Sequence, residues 1–183
     1  MNHTGTVLLE TDRLRLRRGT MDDAEDMFRN WCSDTEVTHF LTWPAHRSIG
    51  VTQLVLEDWV ARYTQDTFYQ WFMEVKTTGA AIGTITVVAI DEPLASAHIG
   101  YCVGRPWWGQ GLVTEAFQAV IRHLFEKVGF NRIDAKHDAR NIGSGRVMEK
   151  SGLQYEGCSR QSVLSNAGIG DAKHYAILRE DYR

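Results

Sequence analysis

One segment constrains the fold of this chain more than any other. Val113, Ala116, Phe117, Val120, Ile121, Leu124, Phe125 and Val128 recur at alternating steps of three and one, the stripe of an amphipathic helix. Glu115, Gln118, Arg122, His123, Glu126 and Lys127 occupy the other side, and Gly129 supplies the C-terminal stop. Just before this helix stands Gly104-Arg105-Pro106-Trp107-Trp108-Gly109-Gln110-Gly111, and before that Ser96–Val103 alternates like a strand. A strand, a glycine-rich loop and a one-sided helix require a sheet for the helix to pack on.

The flanking sequence supplies that sheet. Val7–Arg17 ends in alternating Leu14 and Leu16 against Arg13, Arg15 and Arg17, a half-buried strand. Thr20 with Asp23 reads as a capping box opening a helix with Ala24, Met27, Phe28, Trp31 and Cys32 on one face. Thr38–Pro44 is irregular, and Ser48 caps a second helix to about Tyr63. The period then becomes two: Tyr69–Lys76, Ala80–Ile90 and Ser96–Val103 form a meander. After the long helix, Phe130–Asp138 is a strand, Asn141–Ser151 a short helix closed by Gly152, and Leu153–Gly157 and Lys173–Leu178 are strands around a glycine-rich loop at Ser165–Gly170. The order β-α-α-β-β-β-α-β-α-β-β predicts an α/β fold with helices on both faces of one sheet. The 183 residues suit one domain, 1–183, without a linker or repeat.

The charge balance, 20 basic against 23 acidic residues, argues against a nucleic-acid or polybasic membrane partner. No stretch of residues is long and apolar enough for a transmembrane span, and the start lacks a leader's apolar core, so the expected location is cytoplasmic. Cys32, Cys102 and Cys158 are widely spaced, which predicts reduced, buried thiols rather than disulfides or structural zinc. The histidines form no close ligand pair, so no metal is expected.

A helix start behind a glycine loop presents unpaired amides and the positive end of the helix dipole, which together suit an anion. Gly109 and Gly111 let the backbone turn tightly and approach a phosphate closely. A plain tight turn is the alternative. Gln110 stands where a nucleotide-triphosphate loop needs lysine, and Thr114 where a dinucleotide fingerprint needs glycine.

The run Ile99-Gly100-Tyr101, then Trp108-Gly109-Gln110-Gly111-Leu112-Val113-Thr114-Glu115-Ala116, resembles the acetyl-CoA loop of the GNAT N-acetyltransferases, in their RimJ/RimL-like branch. Leu9–Leu14, Arg140-Asn141 with Ser144, Met148–Leu153 and Glu156-Gly157 resemble that branch as well. The resemblance implies a GNAT-like domain with a mixed, mostly antiparallel, twisted and splayed sheet. It implies an acetyl-CoA-dependent transfer of acetyl to a primary amine by direct attack. The acceptor would be a protein N-terminus, as of a ribosomal protein, or a small amine; the protein would be a monomer or homodimer. The other function to weigh is a CoA-binding regulatory or structural module without turnover.

Residue by residue, the resemblance implies that Cys102 and Val103 pair with pantetheine through their backbone, one amide polarising the thioester. Trp108, Gly109, Gln110, Gly111, Leu112 and Val113 would hold the pyrophosphate, and Lys150 lies in a matching segment on the cofactor side. Asn141 would bond the pantetheine arm, or simply cap its helix. Many relatives place a tyrosine where this chain has Met148, so Ser144 is the expected proton donor to the thiolate, or else a first-turn helix serine. His98, on the strand face of Cys102, is a candidate base or a structural histidine; a nucleophilic Cys102 would need an activating partner. His137 alternates with apolar residues and reads as core or edge. The family loop carries Gln or Arg three residues before its first glycine, where this chain has Pro106. Trp43, before Pro44, is a candidate for the acceptor side, with specificity assigned to residues 34–70.

Overall fold

The computed structural model describes residues 1–182. Strands β1 (Leu9–Glu10) and β2 (Leu14–Arg17) come first. Helix α1 (Ala24–Met27) runs into a π-helical turn at Phe28–Cys32, and α2 (Thr35–Thr38) and α3 (Ile49–Arg62) follow. The meander is β3 (Gln70–Val75), β4 (Ala81–Asp91) and β5 (Ser96–Val103). Then come α4 (Leu112–His123) with a π-helical last turn at Leu124–Val128, β6 (Arg132–Asp138), α5 (Ile142–Lys150), β7 (Gln154–Ser165) and β8 (Gly168–Leu178).

The eight strands form one open sheet in the order β1-β2-β3-β4-β5-β6-β8-β7. All neighbours are antiparallel except β5 and β6. The stripe of α4 lies against one face: Leu112, Val113, Ala116, Phe117, Val120 and Ile121 join Leu14, Leu16, Trp71, Met73, Ile85, Ile99 and Ile133 in the main core. Met148 of α5 belongs to the same core. On the other face Ala24, Met27, Trp31, Val37 and Leu56 pack on Phe72 and Ala81. Phe117 is fully buried, so burying it contributes about 1.5–3 kcal/mol and truncating it to Ala costs about 3–5 kcal/mol.

The β5–β6 junction positions the site. These parallel strands pair only at Ser96↔Arg132, Ala97↔Ile133 and His98↔Asp134. Beyond that rung β6 stays paired to β8 as far as Asp138, while β5 stays paired to β4 as far as Val103. The sheet therefore splays into two halves with an opening between Ile99–Val103 and Ala135–Asp138.

Two expectations are corrected. Val7–Arg17 is not one strand but a hairpin: Leu9 pairs with Leu16. The turn is closed by Thr11, whose amide donates to Leu14 O at 3.0 Å and whose hydroxyl accepts from Leu14 N at 2.9 Å. The last two strands are longer than expected and meet at a tip of just Asn166 and Ala167. Register shifts at Tyr155/Gly157 and Ser159/Val163 break the alternation that marks a strand in sequence.

Candidate active site

The glycine loop turns where the spacing predicts. Gly109 has φ +73° and Gly111, capping α4, has φ +76°. A Cβ at Gly109 would meet nothing within 4 Å, so the left-handed backbone there, rather than crowding, is what favours glycine. Among the described residues the amides of Gly109, Gln110, Gly111, Leu112 and Val113 donate to no protein acceptor. This is a set of unsatisfied donors at the positive end of a helix, chemically suited to a phosphate. Trp108 is half-exposed, and its indole N–H donates to Val103 O at 2.8 Å, tying the loop to the end of β5.

At the opening, backbone alternation assigns directions. Gly104 N donates to Ile82 O at 2.9 Å, so the backbone groups of Gly104 and Cys102 turn toward β4. Those of Tyr101 and Val103 turn toward the opening. Of the expected pair Cys102 and Val103, only Val103 presents its amide there. The Cys102 side chain packs with the α1–α3 cluster, its Sγ 3.6 Å from Thr84 Oγ1. Burial pushes its thiol pKa up, and no cation among the described residues lowers it, so it is poorly suited to act as a nucleophile.

Ser144 sits in the first turn of α5. Asn141 caps that helix, its Oδ1 accepting from Ser144 N at 3.3 Å. From β5, Tyr101 reaches across to Ser144: its hydroxyl donates to Ser144 O at 2.9 Å and lies 3.0 Å from Ser144 Oγ. Burial pushes the Tyr101 phenol up, so it keeps its proton at neutral pH. No role for Tyr101 is evident from its motif; the strand alternation that puts it on the face opposite His98 is the available signal in the sequence. Met148 is buried in the core and supplies no polar group.

His98 lies on the other face, at the last rung before the strands part. Its Nδ1 is 2.5 Å from Asp134 Oδ1, while its Nε2 has no partner among the described residues. Burial works against ionisation of Asp134, but the His98 hydrogen bond and the Arg132 charge hold its carboxyl below the ordinary range. Asp134 was not foreseen, because a cross-strand partner in a parallel pair leaves no local spacing. His98 and Ser144 thus flank the opening from opposite faces of the sheet.

The remaining expected residues are dispersed. Lys150 is exposed at the end of α5, where its carbonyl accepts from Gln118 Nε2 at 3.1 Å, along α4 rather than at its start. His137 is buried, as expected, with Nε2 unpaired and against Gly145 of α5. Of the cysteines expected to be buried only Cys32 is; Cys102 is half-buried and Cys158 exposed, because β7 is an edge strand whose faces are largely open. Trp43 is half-buried beside the α1–α3 cluster. Its segment is pinned from the far half of the sheet, because the two N–H groups of Asn166 Nδ2 are shared among Thr38 O at 2.8 Å, Leu41 O at 3.1 Å and Trp43 O at 2.8 Å. No helix among the described residues is long and apolar enough to cross a membrane.

This geometry can be set beside known proteins. Residues 13–154 match the family model of the acetyltransferase (GNAT) domain. The chain belongs to the GNAT acetyltransferase family. As an acetyltransferase it is similar to the uncharacterized N-acetyltransferase YoaA of Bacillus subtilis, 33% identical over 172 residues, covering 94% of this chain and 97% of that protein. It is 32% identical to the ribosomal-protein-serine acetyltransferase of Escherichia coli over 97 residues, 53% of this chain and 54% of that one. Its fold matches that of RimL, the ribosomal L7/L12 alpha-N-protein acetyltransferase solved in complex with coenzyme A, with TM-score 0.83 and 19% identity over 94% of this chain and 98% of that chain. The splayed α/β sheet of the acetyltransferase is therefore the architecture of the family.

Proposed function

We propose that this acetyltransferase moves the acetyl group of acetyl-CoA to a primary amine by direct attack, and that the amine belongs to a protein N-terminus or a small molecule. The observation that carries the reading is the opening between β5 and β6, with free loop amides at its end and a hydroxyl pair beside it. Acetyl-CoA fits this arrangement: the amides of residues 109–113 suit its pyrophosphate, and the backbone of Tyr101 and Val103 offers strand-like pairing to its pantetheine. The Val103 amide is then aimed to polarise the thioester oxygen.

The chain's own groups account for the protons. His98 Nε2, with Nδ1 fixed by Asp134, accepts the amine proton as the nitrogen attacks the carbonyl carbon. As the C–S bond breaks, Ser144 Oγ–H protonates the departing sulfur and is backed by the Tyr101 hydroxyl. Direct attack is supported by the setting of Cys102, whose thiol is held protonated by burial. A protein acceptor is favoured by the relatives named for ribosomal-protein acetylation. The test is to incubate the protein and acetyl-CoA with short peptides of varied N-terminal residue and with small amines, and to locate the acetyl group by mass spectrometry. Acetylation at an α-amine or small amine supports the reading; acetylation confined to the protein's own cysteine would point to a covalent route instead.

A further inference from the structure

The acetyl-CoA loop of this chain lacks the Gln or Arg that its family carries three residues before the first glycine; Pro106 stands there. A guanidinium nevertheless sits at the loop, delivered from the turn between β1 and β2. Arg13 Nη1 donates to Gln110 O at 3.0 Å. Its Nε donates to Glu115 Oε2 at 2.7 Å, and its backbone N donates to Glu115 Oε1 at 2.8 Å. Its Nη2 lies 3.6 Å from where a Cβ on Gly111 would be. Glu115, in the first turn of α4, thus orients Arg13, and Arg13 grips the loop.

The grip has a consequence for the amides. In a trans peptide the C=O and the following N–H point in opposite directions. With the Gln110 carbonyl held toward Arg13, the Gly111 N–H faces away from it. The Gly111 carbonyl in turn accepts from Glu115 N at 3.0 Å, which fixes the next peptide as the start of the helix. Gln110 Nε2 adds an internal brace to Pro106 O at 2.7 Å. Without the Arg13 bond nothing else holds the Gln110 carbonyl among the described residues, and the peptide between two left-handed glycines is free to rotate.

We infer that Arg13, oriented by Glu115, is a positioning residue for the phosphate loop: it turns the loop amides toward the pyrophosphate of acetyl-CoA and takes the place of the missing loop side chain. This rests on the reading of the loop as the acetyl-CoA site. The test compares three acetyl donors with one amine acceptor, using wild type, Arg13→Gln, Arg13→Lys and Glu115→Gln: acetyl-CoA, acetyl-dephospho-CoA, which keeps the pyrophosphate, and acetyl-pantetheine, which has no phosphate. Arg13→Gln is expected to raise KM for both pyrophosphate donors roughly tenfold, the size of one charged hydrogen bond. Turnover at saturation, acceptor KM and kcat/KM with acetyl-pantetheine stay within about twofold. Arg13→Lys, which keeps a charged donor at this position, recovers part of the loss, and Glu115→Gln reproduces it in weaker form. Equal losses on all three donors would mark a plain fold contact and overturn the inference. A loss confined to acetyl-CoA would assign Arg13 to the 3′-phosphate and overturn it too. If wild type uses acetyl-pantetheine as well as acetyl-CoA, the loop reading itself fails, and the inference with it.

Discussion

Tyr101 and Ser144 meet at the mouth of the splayed sheet, one from β5 and one from the first turn of α5, with hydroxyl oxygens 3.0 Å apart. They are the pair proposed to protonate the leaving thiolate. Ser144→Ala is expected to lower turnover about 100-fold, the low end of general-acid effects, with acetyl-CoA affinity little changed. Tyr101→Phe, which removes the backing hydroxyl and leaves the ring on Phe117, is expected to cost about tenfold. Free-thiol release at saturating substrates measures both; unchanged turnover in Ser144→Ala would remove that residue from the mechanism.

On the opposite face His98 is expected to matter through Nε2. His98→Gln should lower turnover about 100-fold, and Asp134→Asn, which keeps a hydrogen-bonding partner but loses the charge, about tenfold. Steady-state rates with one acceptor check the order. If both variants keep wild-type rates, the imidazole belongs to the sheet alone.

The loop glycine has a steric prediction. At φ +76° a branched residue is strained by about 1–2 kcal/mol, and its Cβ would lie 3.6 Å from Arg13 Nη2. Gly111→Val should still fold, yet lose the thermal stabilisation that acetyl-CoA gives wild type. Tight binding by this variant would mean that the phosphate sits elsewhere.

These predictions vary in how far the sequence supported them. The α4 stripe was legible because a helix one turn after another repeats its burial, and the loop was legible because Gly109 and Gly111 need backbone freedom that other residues lack. His98 and Ser144 could be named from a strand period and a motif. Their partners could not: Asp134 and Tyr101 lie 36 and 43 residues away from them in the chain, and only the β5–β6 and β5–α5 geometry brings them together. The β7–β8 hairpin is legible but its length is not, because bulges erase the alternation, and the role of Asn166 depends on where that hairpin's tip lands.

Asn166 ties the segment after α2 to the tip of the far half-sheet, and so spans the side from which the acceptor is expected to arrive. Removing it in Asn166→Ala forfeits hydrogen bonds worth about 0.5–1.5 kcal/mol each. KM for the acceptor should rise about fivefold to tenfold while KM for acetyl-CoA stays put. A matched rise in both would show that the clamp serves the fold as a whole.

Three histidines make folding sensitive to acid. Burial holds the pKa values of His46, His123 and His137 below the ordinary 6.5. The unfolded chain therefore binds protons at a pH where the folded chain does not. Stability is fully present above about 6.5 and falls as pH drops from there through the lowered folded values. Thermal unfolding from pH 8 to pH 5 should show a declining midpoint, and His123→Gln, which keeps a hydrogen-bonding partner for Thr4 Oγ1, should flatten the decline.

The most direct measurement is release of free CoA thiol from acetyl-CoA with and without an amine acceptor, paired with thermal stabilisation by acetyl-CoA alone. The account predicts stabilisation by acetyl-CoA, thiol release that depends on the acceptor, and one acetyl group gained by the amine for each thiol released. Clear stabilisation with no acceptor-dependent release across N-terminal peptides and small amines would contradict it, and would leave a CoA-binding module without turnover.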